Sequence, residues 1–212
     1  MMEDDLLVHV ENALDIFTKD ENVNELLAAR EIYYDLAGEV KDSDDNYEER
    51  MKCFNDWYVF DYNRNEKNQK VIDLYIENES LDEEIAQTLK SVHHSVFEFL
   101  DTNFRKQYVI KDLVDGKKYV LPKEHSRPAL LKNDYFVGRL LVNNKISYLL
   151  NGLCIIPKDA QSIIKKEIKR INKMKSSDQT MKFLLKIERL KSKWERYGRI
   201  ESSKIFLFDK VL

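Results

Sequence analysis

The sequence predicts an α+β fold: an N-terminal helical region, a central small antiparallel β sheet or barrel of about five strands, and a C-terminal helical hairpin. Three observations predict it. Apolar residues recur at helical spacing up to about His94, then alternate from Ser95 onward. Helical spacing returns after Pro157, along a run dense in lysine and arginine. Only 5 glycines and 3 prolines punctuate 212 residues, which favours long regular elements over loops. The regions divide at 1–94, 95–157 and 158–212, and with no Gly/Ser linker between them they are expected to pack as one unit.

The elements follow in order. In DDLLVHVENALDIF, Leu7, Val10, Leu14 and Phe17 share one helical side. NVNELLAAREIYYDLAG has Asn22 three residues ahead of Glu25 at its start and Gly38 as its stop. A third helix covers CFNDWYVFDY, and Val71, Leu74 and Tyr75 mark a fourth. A fifth starts at SLDEEI, where Ser80 and Glu83 have capping-box spacing, and runs through Ile85, Leu89 and Val92. Strands are expected in VFEFL, YVIKDLV and KKYVL, with Asp115-Gly116 as a two-residue hairpin turn. After the irregular PKEHSRPALLKND, the runs YFVGRLLV and ISYLLNGLCIIP form a hairpin about Asn143-Asn144. The set suits an SH3-like or an OB-like barrel and does not choose between them. Pro157 opens a helix lined by Ile164, Ile168 and Ile171; KSSDQ breaks the chain; a second helix carries Phe183, Ile187, Leu190, Trp194 and Tyr197. The tail SSKIFLFDKVL reads as a final strand.

Composition narrows the class. A chain that is 43% hydrophobic and 11% aromatic buries a core and is not a disordered protein. The start MMEDDLLVHV has no basic region ahead of an apolar run, so no signal peptide is expected. No window approaches the roughly 18 apolar residues of a membrane span. Cys53 and Cys154 form no Cys-x-x-Cys pair, so a reduced cytoplasmic protein with no membrane association is the expectation. The net charge of −3 conceals a strong asymmetry. Residues 1–101 carry 27 acidic and 9 basic side chains, whereas residues 158–199 carry 14 basic and 5 acidic ones. That asymmetry points to a charged partner, or to an acidic half that neutralises a basic half within one fold.

Laid on a helix at about 100° per residue, CFNDWYVFDY puts Met51, Cys53, Phe54, Trp57, Tyr58, Phe60 and Tyr62 on one arc. Lys52, Asn55, Asp56 and Val59 fall on the other side, and Asp61 alone breaks the apolar arc. Its carboxylate caps a helix end, meets a buried cation, or serves as a general base.

CFNDWYVFDY, SVFEFL, VIKDLVDGKKYVL, DYFVGRLL and GLCIIPKDAQ together resemble a group of uncharacterised bacterial proteins. The group shares an aromatic F-x-x-W-x-x-F-D helix, a small β region and a basic helical tail, and the likeness runs from about Tyr47 onward. It implies that fold and no activity. Some of the group carry an appended cysteine-rich zinc motif; this chain has none, which counts against such a zinc role here.

Other chemistries leave no mark. There is no Gly-rich phosphate loop, no His-Glu-x-x-His and no G-x-S-x-G. His93 and His94 are adjacent, so they point to different sides of any element and make no metal pair alone. No catalytic residue, metal or cofactor is assigned. A third reading, an enzyme of unknown class, would place Asp61 or His125 in its site.

The basic hairpin is the better candidate. Lys165, Lys166, Lys169, Arg170, Lys173, Lys186, Arg189, Lys193 and Arg196 surround two helices with Trp194 and Tyr197 nearby, a pattern suited to nucleic-acid backbones. The same residues also suit a solvated face, or one docked on the acidic half. Two functions are carried forward: a non-enzymatic interaction or regulatory protein that binds a protein partner or itself, and a nucleic-acid-associated protein. Pairing about Asn143-Asn144 sets Leu141 opposite Ile146, Arg139 opposite Tyr148 and Val137 opposite Leu150. Arg139 then shares the core face with Val137 and Leu141, and it is expected to meet Asp61 in a two-pronged ion pair.

Overall fold

A computed structural model describes residues 2–64, 68–123, 129–143, 146–174, 176–198 and 200–208. The N-terminal region is helical: α1 (Met2–Phe17), α2 (Val23–Ala37), α3 (Tyr47–Phe60), α4 (Val71–Asn78) and α5 (Glu83–Lys90). Gly38 ends α2 as expected; its φ of 90° is one that other residues rarely adopt, and its N–H reaches Tyr34 O. Asn22 precedes α2 without a side-chain cap, and α5 is capped by Asp82 rather than Ser80, its carboxylate accepting from Glu84 N.

Six strands follow among the described residues: β1 (Val92–Thr102), β2 (Tyr108–Asp112), β3 (Lys118–Val120), β4 (Tyr135–Asn143), β5 (Ile146–Leu149) and β6 (Cys154–Ile156). Val92 therefore opens the first strand and does not close the last helix, because pairing with β4 already begins at Val92, opposite Leu141. The sheet order is β3-β2-β1-β4-β5, every pair antiparallel, and its two ends curl back into contact as a half-barrel.

Two turns differ from expectation. Lys111 pairs with Lys118 and Asp112 N bonds Lys117 O, so the β2–β3 loop is four residues, 113–116, and not Asp115-Gly116 alone. Asp112 makes the longer loop by accepting backbone N–H groups inside it. Between β4 and β5, Leu141 faces Tyr148 and Asn143 faces Ile146, so Asn143 is a paired strand residue and not part of a turn, while Asn144 lies outside the described residues. The register is two residues from the expected one, and a shift of two keeps every side chain on its face. Arg139 therefore stays on the side of Val137 and Leu141.

The run expected as one long strand is split. β5 and β6 both pair with β4, and extra residues around Gly152 loop out between them. α3 fills that break: Gly152 N donates to Asp56 Oδ2 at 2.8 Å, and a Cβ on Gly152 would stand 2.5 Å from that oxygen and 2.8 Å from Lys52 O.

The half-barrel encloses Phe97, Phe99, Ile110, Leu121, Phe136, Leu140 and Leu149. Its other face carries Val96 and Val137 against α6 (Gln161–Met174) and α7 (Ser177–Tyr197), which form the antiparallel helical pair. α7 lies between the sheet and α2, so it buries a wide arc that includes Leu184, Leu185 and Glu188 as well as Phe183, Ile187 and Leu190. Trp194 packs on that core while remaining half-buried. The tail is no strand among the described residues: a 3-10 turn (Ser202–Lys204) sends Ile205 and Phe206 into the core beneath α6 and α7. The second half of α3 is buried on nearly every side, Asp56 and Val59 included, since helices flank one side and the broken strand the other, while Glu48, Glu49 and Lys52 stay exposed.

Candidate functional site

Charge is concentrated in two places: buried between the helices and the sheet, and exposed along α6. The buried group centres on β4, whose residues from Tyr135 to Leu141 are all buried. A central strand covered on both faces has no solvent side to offer Arg139, so its guanidinium lies at 0% exposure. Asp61, the first residue past α3, sits opposite. Arg139 Nε donates to Asp61 Oδ2 at 2.7 Å and Nη2 stands 2.6 Å from the same oxygen, so both prongs converge on one oxygen. Burial works against the charge on Arg139, and Asp61 above all, with Glu188 and Asp56, more than offsets it. His94, the β1 residue paired with Arg139, holds Nδ1 3.6 Å from Asp61 Oδ2. Burial, then the Arg139 and His93 charges, push His94 well below the ordinary histidine range, so the ring is neutral.

Around this pair, Tyr33 donates to Glu188 Oε2 at 2.5 Å. Arg50 donates to the carbonyls of Glu188, Ala37 and Gly38, which ties α3 to α7 and to the end of α2. Burial pushes the Asp56 carboxyl up to about 6, against the pull of Arg139 and the Gly152 N–H. None of these groups lines an open cleft with Asp61. Cavities of about 520 and 510 Å³ lie elsewhere, beside Asp15, Ile16 and Lys19 and beside Asp44, Asn46, Trp194 and Arg196, and a smaller one of about 200 Å³ borders Lys52, Asn55, Asp56 and Asn151. Cys53 and Cys154 are free and buried, and burial holds both thiols above the ordinary cysteine range. His125 lies outside the described residues.

The nine candidate basic residues of the helical pair separate into two sets. On α6, Lys165, Lys166, Lys169 and Lys173 are exposed, and none has an acidic partner among the described residues. Lys165, Lys169 and Lys173 form a row along one side of the helix, with steps of about 6 Å. Arg170 is half-buried and bonds Glu167 within α6 at 2.7 Å. On α7, Arg189 and Arg196 reach the acidic half while staying exposed. Arg189 donates to Asp35 O, and Arg196 donates to Glu39 O and pairs with Asp44 at 2.7 Å, which holds the Asp44 carboxyl below its ordinary range. Lys186 is half-buried and Lys193 exposed.

A third group escapes sequence reasoning. His93 points to the opposite sheet face from His94, and its Nε2 stands 2.5 Å from Asp112 Oδ2; the ligand atoms of His93, Asp112 and Asp115 all lie within 4.8 Å of one another. Nothing in the spacing of these residues announces the cluster, which forms only when β1 pairs with β2.

A model described as a family of unknown function, DUF7986, matches residues 11–193. No curated protein and no solved structure matches the chain.

Proposed function

Starting from a chain that belongs to the DUF7986 family, and so takes no activity from it, we propose a non-enzymatic cytoplasmic binding protein whose α6 lysine face docks a polyanion, nucleic acid foremost. One observation carries this reading. Lys165, Lys166, Lys169 and Lys173 stay exposed without acidic partners among the described residues, although the same chain holds a large excess of carboxylates in residues 1–101. The acidic half supplies a carboxylate to Arg196 and a backbone carbonyl to Arg189 on α7, and supplies no such partner to the four α6 lysines among the described residues. Lysines on a rigid helix meet phosphates as point charges, which gives affinity with little sequence preference.

Retention of the chain on immobilised DNA, RNA and heparin across a salt series tests the proposal. Elution that shifts steeply with salt supports it. Passage through all three matrices at low salt removes it, and retention on heparin alone removes nucleic acid as the partner.

A second reading rests on a different surface. Ile16 on α1 and Val23, Leu27 and Ile32 on α2 are each 41–45% exposed. Apolar side chains along acidic helices suit a protein partner or a second copy of the chain. Sedimentation equilibrium over a concentration series separates self-association from a strictly monomeric chain.

A further inference from the structure

We propose that the end of the half-barrel where β1 meets the β2–β3 loop binds one divalent transition-metal ion, through His93, Asp112 and Asp115. The donor set is one imidazole and two carboxylates, which suits zinc, manganese or iron and not the all-oxygen preference of calcium or magnesium. Donor atoms around such an ion stand roughly 3–4 Å apart. The three side chains are already drawn together to within 4.8 Å, so a small turn of the half-exposed Asp115 completes the approach.

Two of the three ligands are held in place before any ion arrives. Asp112 is fully buried, and its Oδ1 accepts from Val114 N at 2.5 Å and Asp115 N at 3.1 Å, which leaves Oδ2 aimed at His93. The His93 ring is fixed by Phe97 and Tyr119, with centroids at 5.9 and 5.6 Å. Its side chain remains 35% exposed and that of Asp115 31% exposed, so an ion can enter from solvent.

Entry displaces two contacts. The His93–Asp112 hydrogen bond opens and the imidazole proton moves to Nδ1, freeing the Nε2 lone pair for the ion. Lys117, 72% exposed and 3.4 Å from Asp115, swings away at little cost. The ion then clips β1 to the loop that α6 touches, because Asn172 donates to Val114 O. This site is independent of the lysine face, and either proposal can fail alone.

The test is calorimetric titration of Zn²⁺, and separately Mn²⁺, into the chelator-stripped full chain. One ion per chain is expected. His93→Gln and Asp115→Asn are each expected to weaken binding at least about tenfold. Asp115→Asn leaves the His93–Asp112 bond in place, so unchanged circular dichroism separates ligand loss from unfolding. The proposal is overturned if neither ion binds, or if both variants bind as the wild type does.

Discussion

Cutting the Asp61–Arg139 contact from either side leaves a buried charge without its nearest counterion. Arg139→Met strands Asp61 close to Asp56 and Glu188. Asp61→Ala strands Arg139 at 0% exposure, although Glu188 and Asp56 still draw on it. Breaking a buried pair costs about 3–5 kcal/mol. The residual carboxylates put Asp61→Ala at the lower end of that range and Arg139→Met at the upper end. The double variant Asp61→Ala/Arg139→Met removes both charges together and should fall short of the summed single losses by about 2 kcal/mol or more. Guanidinium unfolding followed by the fluorescence of Trp57 and Trp194 measures all four proteins, and equal m-values confirm that one transition is being compared. Single losses under about 1 kcal/mol, or strictly additive ones, would refute the reasoning.

Two further outcomes follow from α3. Asp56 titrates near 6 in the fold against 3.8 for the free group, so between those values the folded state holds a proton that the unfolded state has released. Its contribution favours folding at acid pH and is lost as pH rises through 6. Asp56→Asn should therefore gain stability relative to wild type from pH 4 to 7, by up to about 3 kcal/mol, and parallel curves would contradict this. His94, held below its ordinary range, works in the opposite direction below pH 6.5, so the comparison between variants is the informative quantity. Gly152→Ala drives a methyl onto Asp56 Oδ2 and the Lys52 carbonyl, and thermal or chemical unfolding should show a loss of about 1–3 kcal/mol.

The change of period near Ser95 and its return after Pro157 made the α+β order legible, because both periods are local properties of the chain. The face of Arg139 was legible too, although the register was not: alternation fixes the face, and a slip of two residues is invisible to a pattern of period two. The burial of Asp56 and Glu188 was hidden for a different reason. Each lies on the polar side of an amphipathic pattern, and only the packing of a second layer, the broken β5–β6 strand over α3 and α2 over α7, covers that side. For Arg189 and Arg196 the sequence left solvation and docking on the acidic half both open, since a charge run looks the same whether it meets solvent or a neighbouring helix end. His93 and Asp112 are 19 residues apart and become neighbours only through strand pairing.

The binding claim is tested most directly by fluorescence anisotropy of a labelled single-stranded oligonucleotide, titrated with wild type and with the Lys165→Gln/Lys169→Gln/Lys173→Gln variant at several salt concentrations. The three lysines are exposed and without acidic partners among the described residues, so the variant should unfold at the wild-type denaturant concentration. The account predicts that wild type binds at low salt and that the variant's slope of log affinity against log salt is shallower by about 2–3. Absence of binding by wild type at low salt, or a variant that keeps the wild-type slope, would contradict it.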